Sequence, residues 1–196
     1  MKRYTLPLLA LTVLFLVTCQ QDVPTFSGSL FPANVGNIWN YYAIVNGDEN
    51  CTATLEVVGT AKHSLGFQTK NVKLTYHTST LDAIYNWYSY EDVTGLYWYK
   101  SLDSEDCLVL AKYPFAVGDS WDFTYEGDSY TGYVDSIVTI IALGETSYEH
   151  CYKIYYNSTN TNFFIWWKEG IGQIGQDYSD ETHSYYRILQ SYTLVP

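Results

Sequence analysis

Metal binding and nucleophilic catalysis draw on histidine, cysteine and paired carboxylates, so these residues are placed first. The chain holds four histidines and four cysteines in 196 residues. His150 and Cys151 are neighbours, but adjacent residues on a strand point to opposite faces and do not grip one metal ion. His63, His77 and His183 stand alone in sequence, and the spacing of Cys51, Cys107 and Cys151 matches no zinc pattern. Carboxylates cluster at Asp48 and Glu49, at Asp103, Glu105 and Asp106, and at Asp180 and Glu181. Each cluster falls in a predicted turn and lacks the ordered oxygen ligands and central Gly of a calcium loop, which makes it a solvated turn. Asp82, Glu91, Asp122 and Asp135 lie on predicted strands. Glycoside hydrolysis needs two carboxylates a fixed distance apart on one concave face, and no pair stands out. There is no G-x-S-x-G, and Gly170-Ile171-Gly172 has no helix after it to cradle a phosphate. The expectation is no catalytic residue, no metal ligand and no cofactor.

Aromatic residues are the stronger lead. The chain has 21 Tyr, 6 Trp and 8 Phe. Tyr85, Trp87, Tyr97, Trp98, Tyr99, Trp166 and Trp167 concentrate in three predicted strands. Rings on a concave sheet line an apolar pocket or stack on sugars. Their plainer role is to fill the core of a Tyr-rich sheet.

The elements that carry these rings follow a motif stated twice. Phe31–Tyr41 reads F-P-A-N-V-G-N-I-W-N-Y, and 82 positions later Tyr113–Phe123 reads Y-P-F-A-V-G-D-S-W-D-F. Pro32, Gly36 and Trp39 are answered by Pro114, Gly118 and Trp121. Pro suits a loop that leads into a strand. Gly permits a positive φ. Asn37 or Asp119 can close the turn through its side chain. A Trp and a second aromatic two positions later then share one strand face. Each copy is therefore a tight loop that launches a strand.

Six strands are predicted after each loop. The first set is Ile38–Val45, Cys51–Gly59, Phe67–His77, Leu81–Glu91, Leu96–Ser101 and Cys107–Lys112. The second is Ser120–Tyr125, Ser129–Leu143, Tyr148–Asn157, Asn162–Lys168, Gln173–Tyr178 and His183–Leu194. Turn residues separate them, Asn46-Gly47 being the clearest hairpin signal. No window carries a helical period. The fold class is all-β, about twelve antiparallel strands built from two six-stranded repeats, 31–112 and 113–194. So many strands curl into a strongly curved sheet, a half-barrel or a barrel. Trp98 faces one way and Tyr97 and Tyr99 the other, so both faces carry rings.

Met1–Thr18 has a short basic start, Lys2 and Arg3, then an apolar run too short to span a bilayer. It is a signal peptide. Leu16–Cys19, L-V-T-C, resembles a bacterial lipobox, in which the Cys is diacylated; Thr18 departs from the usual Gly or Ala. Two acyl chains anchor stably to a membrane. Residues 19–29 are the acylated Cys19 and a polar tether, and 30–196 one β domain. Gln20 after the Cys resembles the outer-membrane sorting signal of cells with two membranes. The whole chain has a formal charge of −11. Loss of Lys2 and Arg3 leaves 8 of the 10 basic residues against 21 acidic ones, near −13. No basic stripe invites nucleic acid. An exported compartment allows one disulfide among Cys51, Cys107 and Cys151, in any of the three pairings.

With these residues placed, the chain resembles a loose group of uncharacterised bacterial envelope lipoproteins. They carry an F-P-x-x-x-G-x-x-W-x-Y opening and, later, an aromatic strand leading into G-[IV]-G. Here these are Phe31–Tyr41 and Trp166–Gly172. The resemblance implies an antiparallel half-barrel of the lipoprotein-carrier type and brings no catalytic residue with it. The expected function is a non-enzymatic binding or carrier module for an apolar or amphipathic ligand, held at the envelope by its acyl chains. An interaction protein that shows an aromatic surface to an envelope protein or glycan is the alternative, and a hydrolase the third.

Overall fold

Strand alternation decides this architecture, and the strands fall close to where alternation puts them. The computed structural model describes residues 25–26, 28–142, 146–180 and 182–196. The signal peptide, Cys19, most of the tether and Glu181 lie outside them. The strands are β1 (Ile38–Val45), β2 (Asp48–Lys62), β3 (Gln68–His77), β4 (Asp82–Asp92), β5 (Gly95–Tyr99) and β6 (Cys107–Lys112). They continue as β7 (Ser120–Tyr125), β8 (Asp128–Ile141), β9 (Ser147–Asn157), β10 (Asn162–Lys168), β11 (Gly172–Ser179) and β12 (Ser184–Thr193). Among the described residues there is no helix.

All twelve strands join one antiparallel sheet, in the order β6-β5-β4-β3-β2-β1-β12-β11-β10-β9-β8-β7. Each half is a simple meander. The first and last strands pair along their length, from Ile38 opposite Thr193 to Val45 opposite Tyr185. The sheet thereby curls into a nearly closed barrel whose two free edges, β6 and β7, face each other without a ladder. Side chains bridge that gap. Trp121 Nε1 donates to the Val109 carbonyl at 3.0 Å, and the Tyr156 hydroxyl donates to the Leu110 carbonyl at 2.5 Å.

The two motif loops adopt the same local form. Gly36 and Gly118 have φ of +93° and +97°, a region open to glycine and strained for other residues. The Gly36 N–H donates to Val57 and the Gly118 N–H to Val134, each at 2.8 Å. The Val57 and Val134 N–H groups return bonds to the Asn37 and Asp119 carbonyls. A bulge follows at the same place in both, after Val57 in β2 and after Val134 in β8.

Odd-numbered strands run toward one end of the barrel and even-numbered strands return. The end reached by the even strands is sealed. Phe31 stacks on Trp39 at 5.1 Å and meets the edges of Trp98 and Trp167. Leu30 is buried, and its N–H donates to Glu91 Oε1 at 2.9 Å. Ser29 and the Tyr113 hydroxyl also donate to Glu91. The tether read as reaching Ser29 ends earlier than that: Phe26 is buried, pairs with Phe115 through both backbone bonds and stacks on its ring. A buried phenyl holds the segment to the body more firmly than polar composition suggested.

Asn37 joins three parts of the sealed end. It is fully buried; its Nδ2 donates to the Pro32 carbonyl, and its Oδ1 accepts the Val195 N–H at 2.6 Å. Its counterpart Asp119 is exposed, and its carboxylate accepts the Ala116 N–H at 2.8 Å. Asn37→Ala takes the partner from two part-buried backbone groups and is expected to lower stability by about 1–3 kcal/mol, against about 1 kcal/mol or less for Asp119→Ala. Urea unfolding midpoints at unchanged slope measure the difference. Equal losses would mean that the two loops carry equal loads despite their burial.

Candidate functional site

The opposite end of the barrel is open. Six hairpin turns ring it, those following the odd-numbered strands. Strand alternation points a layer of rings inward just below them: Tyr76 from β3, Tyr85 and Trp87 from β4, Tyr125 from β7, Tyr178 from β11 and Tyr185 from β12. Below the rings lies a cavity of about 420 Å³, whose walls include Leu74, Trp98, Leu110, Phe163 and Ile165. That volume lies within the range of small-molecule sites, roughly 300–1,000 Å³. Rim polarity comes from Lys100, Glu126, Asp180 and His183. Lys100 is ion-paired with Glu126. Asp180 is tied down by Tyr178 at 2.7 Å and by the N–H groups of Thr182 and His183, each at 2.7 Å. These bonds, that from Tyr178 foremost, hold its carboxyl well below the usual carboxylate range.

One strong charge stands inside the cavity. Arg187 of β12 lines it and is only 1% exposed. Its Nη1 donates to the Tyr76 hydroxyl at 3.0 Å and its Nη2 to Gln173 Oε1 at 2.8 Å. Nε is buried with no partner. No carboxylate among the described residues lies within 4.0 Å of the guanidinium. The faces of Tyr41 and Tyr76 sit 5.3 and 5.8 Å from its centre. A buried unpaired ion carries a desolvation penalty of several kcal/mol, and ring faces return about 2 kcal/mol when desolvated. The floor of the cavity is thus an apolar place with an uncompensated positive charge. Burial raises the Tyr41 phenol, while Arg187 opposes that rise. Burial, followed by Asp180, pushes Tyr178 up to about 12. Both phenols stay neutral at ordinary pH.

The seven aromatic candidates divide into three groups. Tyr85, Trp87 and Trp98 line the cavity. Trp167 points inward too, but it is fully buried in the sealed end against Phe31. Tyr97, Tyr99 and Trp166 face outward. The tip of the β2–β3 hairpin folds over Tyr99: Phe67 packs on Tyr90 and Tyr99, and His63 on Tyr99 at 4.6 Å, while Tyr97 lies against Tyr90. Trp166 lies half-buried on the outer wall with Phe164 and Tyr186. Sequence clustering joined these rings; alternation across the wall separates them. Pro32, Gly36 and Trp39 with Pro114, Gly118 and Trp121 belong to the sealed end and the seam. The Gly170-Ile171-Gly172 turn meets the first of those motifs, since Trp39 Nε1 donates to the Ile171 carbonyl at 2.6 Å.

Sequence reading overlooked Arg187, Gln173 and the rings at Tyr76, Tyr125, Tyr178 and Tyr185. A signal for the first was present. Arg187 is the only arginine beyond Arg3, and it shares a strand face with Tyr185 and Leu189. A lone charge at an inward position of an apolar strand is a candidate for function.

The described histidines, cysteines and carboxylates form no group of three able to hold a metal ion. The disulfide that an exported compartment allows is not formed: Cys51, Cys107 and Cys151 are free thiols. They stand on β2, β6 and β9, none of which is a sheet neighbour of another. Burial raises all three, Cys151 to about 11.

No protein-family profile matches the chain, and no curated protein is similar to it. Two solved structures are similar in shape. One is a proposed exported protein with a YmcC-like fold from Bacteroides fragilis: 11% identity, 85% of this chain and 99% of that one, TM-score 0.45. The other is a proposed lipoprotein from Parabacteroides distasonis: 13% identity, 86% of this chain and 100% of that one, TM-score 0.48. Neither assigns a role to a residue here.

The thiol arrangement makes its own prediction. Iodoacetamide is expected to modify half-buried Cys107 first, and Cys51 and Cys151 only after denaturation. Peptide mass mapping reads each site. A pair that resists alkylation until a reductant is added would show a disulfide instead.

Proposed function

We propose that this chain is a non-enzymatic binding or carrier module of the bacterial cell envelope, anchored through acylated Cys19. Its barrel would hold an apolar or amphipathic ligand. The observation that carries this reading is the cavity of about 420 Å³, sealed at one end and ringed by aromatics at the other. Apolar walls with a few convergent polar groups are the usual make-up of a small-molecule site. The envelope address, with the outer membrane where two membranes exist, rests on Leu16–Gln20, outside the described residues. The non-enzymatic reading rests on the cavity's inventory. Its titratable groups are phenols, of which burial raises Tyr125, Tyr178 and Tyr185, the rim pair Lys100 and Glu126, Asp180 with His183 beside it, and a guanidinium that cannot act as a base. A nucleophile beside a base, with a third group to orient it, is the arrangement an enzyme would need.

A second reading has one observation of its own. The half-buried rings of Trp166, Phe164 and Tyr186 form a strip on the outer wall, with Lys153 4.5 Å from the centre of the Phe164 ring. Such a strip suits contact with a protein or glycan. The cavity is favoured because it is a shaped volume rather than a surface.

Native mass spectrometry of the chain from Gln20 onward, purified without detergent, tests the proposal. That span contains every described residue. The expected result is a discrete added mass that denaturation releases as an apolar or amphipathic molecule. A clean apo mass, unchanged after incubation with envelope lipid extract, would overturn the cavity reading and favour the outer wall.

A further inference from the structure

Arg187 narrows the class of ligand, given the cavity-binding reading above. We propose that the cavity takes a singly charged amphipathic anion, with its carboxylate on Arg187 and its apolar chain among Leu74, Trp87, Leu110 and Ile165. The guanidinium has five N–H donors in a planar fork. Two contacts are made within the protein, one to Tyr76 and one to Gln173. Nε faces no acceptor although it is buried. The other cation at the cavity, Lys100, is already paired with Glu126 at the rim. Arg187 is therefore the one cation of the lining left without a carboxylate among the described residues.

A carboxylate supplies what is missing. It offers two acceptor oxygens in a geometry that matches a guanidinium edge, and charge-assisted bonds of this kind are the strong ones. It also brings one negative charge to meet one positive charge. A phosphate dianion would bring a second negative charge into a cavity whose rim already holds Glu126 and Asp180. Apart from Thr161, Gln176 and the rim groups, the lining is aliphatic or aromatic, so a small hydrophilic anion would leave most of the wall unsatisfied. An anionic head on an apolar chain satisfies both parts. Gln173 fits the same picture. Its Oε1 holds Nη2 of Arg187, and its Nε2 donates to Gln176 Oε1 at 3.3 Å. The guanidinium is thus oriented before any ligand arrives, which limits the entropy lost on binding.

Quenching of tryptophan fluorescence by brominated probes tests this on the full chain held in amphipol. The probes are 11-bromoundecanoic acid and 11-bromoundecanol, alike in apolar chain and different in head. Trp87 and Trp98 line the cavity and report binding. The acid is expected to bind about tenfold to a hundredfold more tightly than the alcohol, the difference made by hydrogen bonds to a charged group. Arg187→Gln should abolish the preference and Arg187→Lys keep part of it, while Trp87→Phe removes part of the quenched signal. Far-UV circular dichroism checks that each variant folds, and the acid-to-alcohol ratio on the unaltered chain stands without any variant. Equal binding of acid and alcohol would overturn the anion proposal and leave the cavity reading in place. Quenching by neither probe would overturn both. A folded Arg187→Gln protein that still prefers the acid would also overturn the assignment.

Discussion

A sheet of twelve strands has two edges, and each edge is a row of backbone groups that must find partners. This chain meets that constraint by bringing its first and last strands together. The β1–β12 ladder turns two meanders into one wall, and everything inside the wall depends on it. Closure moves the free edges to β6 and β7, which are consecutive in the chain and joined by the second motif loop. There the indole of Trp121 and the phenol of Tyr156 replace a ladder. Two side-chain bonds contribute about 1 kcal/mol each, less than a run of backbone pairs would. The wall is thus continuous in covering its interior but not in its hydrogen bonding, and the seam is its softest line.

The two ends of the barrel divide the aromatic residues by task. At the sealed end, Phe31 stacks on Trp39 and meets Trp98 and Trp167 edge to face, and Glu91 gathers the Leu30 N–H and the Tyr113 hydroxyl. At the open end, Tyr and Trp stand around a space they do not fill. The difference is one of supply. Phe26 and the run to Phe31 pack into one end, and among the described residues no counterpart enters at the other. A cavity is what remains where the plug stops. Arg187 stands at that boundary, held by Tyr76 on one side and Gln173 on the other.

Much of this was legible residue by residue. Period-two alternation located the strands, and β1, β6, β7 and β10 begin and end where the sequence reading put them. The opposition of Trp98 to Tyr97 and Tyr99 was also visible, since it needs only the pleat. A barrel was among the shapes that so many strands imply, but the β1–β12 ladder that closes it was not visible, because register and strand order depend on contacts far apart in the chain. The bulges after Val57 and Val134 shift side chains by one place and have no composition of their own. Ring clustering misled for a related reason. Trp166 and Trp167 are adjacent in sequence, yet one faces solvent and the other the core. The buried role of Phe26 was hidden by its polar neighbours. Free cysteines could not be told from bridged ones, since pairing requires the two Cα atoms to lie within about 7 Å, a separation that the sequence does not give.

The acidic surface has a consequence for traffic. With a formal charge of −11 and carboxylates at the rim, the molecule repels anions at long range, while its one inward cation attracts them only at short range. Approach and retention are thus set by different charges. An anion would meet its barrier outside the barrel, so its rate of entry should rise as added salt shortens the range of repulsion, to about 8 Å at physiological ionic strength. Its rate of exit, governed by a desolvated contact, should change little. Mineral anions would feel the barrier without the compensation of an apolar chain, and the barrel would stay clear of the most abundant ions around it.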